Sequence, residues 1–206
     1  MNEPMPSATV IRRRRLQLLL VAAFFFGPLA LAFVMYYGGA AWIPHHRVEH
    51  GTLIEPPRTL PLVSLPTPSG APTAADFLRH KWSLIHAVRG TCDDHCLAVL
   101  TDLGAVRLAL HRDAERVQVV VLADRACCAD LSSSVPAHAL AVALADGEEA
   151  AALRQGLGLD KAGSDAAETI YLVDPNGNFF MTYGSGYTKK GILADLEKLL
   201  RLSHIG

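Results

Sequence analysis

Two cysteines four residues apart, in Thr91-Cys92-Asp93-Asp94-His95-Cys96, lie just past an apolar run from Trp82 to Val88. In the first turn of a helix that spacing puts the two Cα atoms about 6 Å apart, at ~1.5 Å of rise per residue. A disulfide accepts that separation, and so does one soft metal ion held between two thiolates. Either use profits from a helix N-terminus, where backbone N–H groups and the dipole lower a thiol pKa. In thiol–disulfide exchange Cys92, nearer the loop, is expected to attack and Cys96 to resolve. Protonated His95 would lower a neighbouring thiol pKa and Asp93 and Asp94 would raise it, so the residue types leave the net shift open. For a metal, Cu(I) accepts two thiolates and an imidazole. His95 is then the candidate third ligand, with His86 on the apolar run and His138 further along as the other candidates.

A second pair, Cys127-Cys128, follows the apolar run Val117 to Leu122. The C-terminal edge of such a strand is where α/β sheets place their sites. The two thiols read equally as accessory thiols, exchanging with the first pair or adding metal ligands, and as a small buried hydrophobe beside an incidental surface thiol. His45, His46 and His50 read as part of a solvated loop rather than a metal site. Gly184 to Gly186 lacks the lysine pattern of a phosphate loop.

The elements that must position these residues follow from periodicity. Lys81 to Val88 reads as a strand, and Leu97, Leu100, Leu103, Val106 and Leu110 recur at helical spacing from about Cys96 to Arg112. Val117 to Leu122 reads as a buried parallel strand, Ala137 to Leu144 as another, and Glu148 to Leu157 as a helix closed by Gly156 or Gly158. Thr169 to Val173 and Asn178 to Tyr183 flank Asp174-Pro175-Asn176-Gly177, a hairpin turn. Ile192, Leu196, Leu199 and Leu200 stripe a last helix, Lys189 to Leu202. This order predicts an α/β fold, a thioredoxin-like sandwich with a central mixed sheet flanked by helices, over residues 76–206.

The N-terminus is a separate object. Arg12 to Arg15 close a basic tail, residues 1–15, and Leu16 to Trp42 carry no charge. That apolar length exceeds a signal-peptide core and suffices for ~30 Å of hydrocarbon. Residues 16–42 are therefore read as one transmembrane anchor, with the N-terminus cytoplasmic by the positive-inside rule. Residues 43–75, with prolines at 44, 56, 57, 61, 66, 68 and 72, read as an extended juxtamembrane linker. Of 19 basic and 20 acidic residues, the first 42 positions hold four arginines and one glutamate, which leaves 15 basic against 19 acidic. That balance does not point to nucleic acid. All four cysteines follow the span, where an oxidising compartment leaves thiols either bridged or chemically employed.

Three pieces of the chain carry a resemblance. Trp82 through Cys96, Ile170-Tyr171-Leu172-Val173-Asp174-Pro175-Asn176-Gly177-Asn178-Phe179, and Ile192 to Leu196 resemble the Sco/SenC family over about residues 80–202. These are membrane-anchored thioredoxin-fold proteins that help assemble the copper centre of cytochrome c oxidase. The resemblance implies a bacterial inner-membrane protein with a periplasmic domain, Cys92 and Cys96 as its reactive or copper-binding pair, and Cu(I) as the metal. The copper-binding oxidase subunit, or another copper or thiol assembly factor, is the implied partner. In the family a histidine a few residues before the hairpin strand completes the copper site. Here Ser164-Asp165-Ala166-Ala167-Glu168-Thr169 holds none, and Asp94 and His95 replace the proline usual between the cysteines. The expectation is a divergent member, a dithiol reductant or accessory copper chaperone before an autonomous carrier. The alternative class is a non-catalytic interaction module whose disulfide is structural.

Overall fold

The computed structural model describes residues 8–37, 49–88, 92–124, 139–144, 147–160 and 169–203, in two units, Met1–Arg47 and Val48–Gly206. The first contains helix α1, Ala8–Tyr37, with Pro28 inside it. Within it Arg12–Val34 is long and apolar enough to cross a membrane, 23 residues of mean hydropathy 2.2. The arginine block, expected in a tail, lies within this helix, and residues 38–42 of the expected span lie outside the described residues.

In the second unit six strands form one sheet: β1 Thr52–Thr59, β2 Trp82–Val88, β3 Val117–Asp124, β4 Ala139–Leu144, β5 Ile170–Val173 and β6 Asn178–Tyr183. Their order is β1-β6-β5-β2-β3-β4. Pairing is parallel from β2 through β3 to β4 and antiparallel from β2 through β5 and β6 to β1. The mixed sheet of a thioredoxin-like sandwich is thus present. Both central strands, β2 and β3, read as continuous apolar runs because helices and loops cover both sheet faces.

One face buries Ile85, Val120, Leu122 and Tyr171 beneath α3, Glu148–Leu157, and the segment carrying Leu60, Val63 and Leu65. The other buries Leu84, Val119, Ile170 and Leu172 beneath α2, Asp94–Ala109, and α4, Lys189–Leu202. Glycine closes α3 as expected, with Gly158 left-handed at φ 74° and its N–H bonded to the Arg154 and Gln155 carbonyls. In the hairpin turn the Asp174 carboxylate accepts from the Asn176 and Asn178 backbone N–H groups.

Two expectations are corrected. The proline-rich stretch is extended, but residues 52–59 are an edge strand paired with β6 rather than a free connector, and the compact unit starts near Val48 instead of about residue 76. A Pro-Pro step suits an edge because proline has no N–H for a further neighbour. The main helix begins two residues earlier than expected, at Asp94, and ends at Ala109. Past it His111 takes φ 51° and the chain tightens into a 3-10 helix, His111–Arg116.

Candidate functional site

The cysteine pair straddles the start of α2 at the C-terminal end of β2. Asp93 is the N-cap, and its side chain accepts from the Cys96 backbone N–H at 3.0 Å. An aspartate there satisfies one of the donors that a helix start leaves open. Cys92 precedes the cap and Cys96 is the third residue of the first turn. Their Cα atoms are 5.3 Å apart, close to the helix-rise expectation, and the two sulfurs are joined as a disulfide. Burial splits the pair. Cys92 is partly exposed, whereas Cys96 is 5% exposed and packs with Val88, Leu100, Val121 and Ala123.

His95 stands exposed on the same turn. With both sulfurs bonded to each other, neither is a thiolate ligand. Among the described residues no group of three His, Cys, Asp or Glu side chains gathers as a metal requires. Two soft donors at bridging distance still fit a soft ion once they are reduced. Cys127, Cys128 and His138 lie outside the described residues, as do His45, His46 and residues 164–168 of the approach to β5. His50 is engaged elsewhere: its ring Nδ1 lies 3.1 Å from an Asp195 carboxylate oxygen, and its backbone N–H donates to the other at 2.9 Å.

His86, the candidate ligand on the apolar run, lies on the strand that leads into this turn. It is 1% exposed in the middle of β2. Strand alternation puts it on the face of Leu84 and Val88, the face that packs under α2. Its pKa is lowered from 6.5 to about 4, by burial first and by nearby His95, against the Thr169 backbone hydrogen bond and Asp93, which raise it. The imidazole is therefore neutral at pH 7. Nδ1 is a buried nitrogen with no hydrogen-bond partner, so the ring N–H serving Thr169 is that of Nε2. A histidine inside an otherwise apolar strand was the only sequence signal for this arrangement.

Known proteins agree with the architecture. The yeast Sco1 crystal structure with copper bound superposes with a TM-score of 0.57 at 20% identity, over 73% of this chain and 96% of that one. The solution structure of apo Sco1 from Thermus thermophilus gives 0.56 at 21%, over 74% and 97%. BsSco, a member of the Sco family of cytochrome c oxidase assembly proteins in which a disulfide switch is identified, gives 0.51 at 12%, over 73% and 99%. At these identities the likeness is one of fold. No curated protein sequence matches. Two family models do match: the transmembrane-like N-terminal domain over residues 10–39, and the transmembrane-like, thioredoxin-like C-terminal domain over residues 82–203. The second spans more than half of the chain, which therefore belongs to the family of transmembrane-like, thioredoxin-like proteins.

Proposed function

We propose that this protein is a Sco-like thiol–disulfide reductant that keeps the copper-site cysteines of a cytochrome c oxidase subunit ready for metal. The observation that carries this reading is the unequal burial of the Cys92–Cys96 disulfide at the α2 N-terminus. Exchange needs one sulfur that a client can reach and a second that waits inside. Cys92 is the accessible sulfur, which attacks, and Cys96 the sheltered one, which resolves. The copper-bound and disulfide-switch proteins of the same fold support the assignment. Cu(I) is a cargo in this scheme, taken up by the reduced Cys92 and Cys96 with His95 as the third donor, and Cys127 and Cys128 serve as accessory thiols. The anchor holds the domain on the periplasmic face of a bacterial inner membrane with the N-terminus in the cytoplasm.

The test uses the full chain in detergent micelles. Graded mild reductants are followed by alkylation and mass analysis of the fragment between Arg89 and Arg107, which contains Cys92 and Cys96 only. An exchangeable pair takes two alkyl groups at potentials where structural disulfides, typically below about −300 mV, stay closed. A pair that stays bridged there is a staple, and the protein is then a non-catalytic interaction module. Titration of the reduced chain with Cu(I) against a coloured chelator reads the cargo. One-to-one binding lost in Cys92→Ser and weakened in His95→Ala is expected. Binding indifferent to Cys92 removes copper from the scheme.

A further inference from the structure

Strand β1 meets β6 in two short stretches. Thr52 and Leu53 stand opposite Thr182 and Met181, and Arg58 and Thr59 opposite Phe179 and Asn178. Between them Ile54 to Pro57 face Phe180 alone, and the register shifts. Pro56 and Pro57 have no N–H to give a ladder, so the strand parts from its neighbour there. Ile54 and Arg58, at the two ends of the gap, both line a cavity of about 270 Å³ on the sheet face that α3 covers. Its inner walls are Leu157 at the end of α3, Tyr171 on β5 and Phe179 on β6. All three are buried, and the two rings pack with centroids 5.6 Å apart, so this apolar surface is preformed.

One formal charge stands at the cavity. Arg58 is exposed and forms no salt bridge among the described residues, and no acidic residue among them lines the cavity. The guanidinium lies against Gly158, the left-handed residue that closes α3: a Cβ there would stand 3.2 Å from Arg58 Nη1. A helix C-terminus favours a cation, and the missing side chain lets this one come close. The cation is thus held beside an apolar hollow without an anion of its own. That is so in a chain whose residues beyond position 42 carry 15 basic against 19 acidic groups.

We propose that this cavity is a binding site for a small monocarboxylate with a compact apolar tail, the tail between Ile54, Leu157, Tyr171 and Phe179 and the carboxylate on Arg58. A single guanidinium matches a single anionic group, and its planar fork matches a carboxylate with two parallel N–H bonds. A nucleotide or other polyanion would leave charge unmet. The volume lies just below the ~300–1,000 Å³ of pockets that take drug-sized ligands, so the tail is short, and two aromatic walls suit a ring. The site is independent of the disulfide chemistry, because it lies on the sheet face opposite α2 and its cysteine turn.

The test uses the full chain in nanodiscs, with isoleucine and leucine methyl groups labelled with ¹³C. The probe is 3-phenylpropanoate, and 3-phenylpropan-1-ol is its uncharged counterpart. The carboxylate is expected to shift the Ile54 and Leu157 methyl resonances saturably. Arg58→Ala should weaken its affinity about tenfold, the worth of one charge-assisted hydrogen bond. Arg58→Lys, which keeps the charge without the fork, should fall between. The alcohol should bind the wild type about as weakly as the carboxylate binds Arg58→Ala. Ile54→Trp, a change at a partly exposed edge position, should fill the cavity and abolish the Leu157 shift while the methyl spectrum elsewhere stays in place. No saturable shift at either methyl overturns the proposal. So do equal affinities for acid and alcohol that Arg58→Ala leaves unchanged, since the ring would then be partitioning without recognition, and so does binding that persists in Ile54→Trp.

Discussion

Asp93 organises the cysteine turn through one bond. Its carboxylate occupies the Cys96 N–H and so fixes the N-terminus of α2 between the two sulfurs. Asp93→Ala is expected to lower the stability of the oxidised chain by about 1 kcal/mol, and Asp93→Asn by much less, since asparagine caps as well; urea midpoints measure both. His86 makes a separate prediction for stability. The folded chain holds its pKa near 4, against 6.5 when exposed. Between those values the unfolded chain binds a proton that the folded chain refuses, so this contribution is complete above pH 6.5 and drains away as pH falls toward 4. A shift of this size corresponds to about 3 kcal/mol across the window. His86→Leu should flatten the stability profile there, and an unaltered acid slope would assign the sensitivity to other groups.

Elements with local determinants were legible from the residues alone. The helix α4 stripe, the Asp-Pro-Asn-Gly turn, the glycine-closed α3 and the apolar β2 and β3 each carry their own period or cap. The disulfide spacing was legible for the same reason, because four residues of helix rise fix it. Strand β1 was not, since what holds it lies far along the chain. Asp195 on α4, 4% exposed, accepts from the His50 and Gly51 backbone N–H groups just ahead of β1 and from the Tyr183 hydroxyl at the end of β6. No sequence period announces such a latch. Likewise His86 was visible as a histidine, but its burial and its idle Nδ1 depend on α2 closing over β2. The latch leaves Gly191 little room: a Cβ there would meet His50 Cβ and Cγ at 2.9 Å and Thr188 Oγ1 at 3.0 Å. His50 is held by Asp195 through both backbone and ring, and Thr188 caps α4 by accepting from the Gly191 N–H. Neither neighbour can give way cheaply. Gly191→Ala should therefore destabilise by about 1–2 kcal/mol through overpacking, although alanine in a solvent-facing helix position would gain up to about 1 kcal/mol. A higher melting temperature in this variant would show that the contact yields.

At the scale of the whole chain, an apolar helix and a thioredoxin-like unit occur in one polypeptide, and the chemistry proposed for the second depends on which side of a membrane the first leaves it. Arg12 to Arg15 sit at the N-terminal end of the candidate span. Positive charge is retained on the cytoplasmic side, so in the orientation proposed above those arginines would stay there and the cysteines would lie across the bilayer. An oxidising compartment would then close the Cys92–Cys96 disulfide, and a reductant working there must itself be recharged. These consequences can be checked together in bacterial cells expressing the full chain. After mild reduction of intact spheroplasts, a membrane-impermeant maleimide should label the 90–107 fragment without lysis. In sealed inverted vesicles the same reagent should label it only after detergent is added. Replacing Arg12 to Arg15 by glutamine should scramble this asymmetry, because the span would keep its length but lose its retention signal. Labelling that needs lysis of spheroplasts would place the pair in the reducing cytoplasm. The disulfide would then not persist there as a resting state, and the periplasmic assembly role would fall.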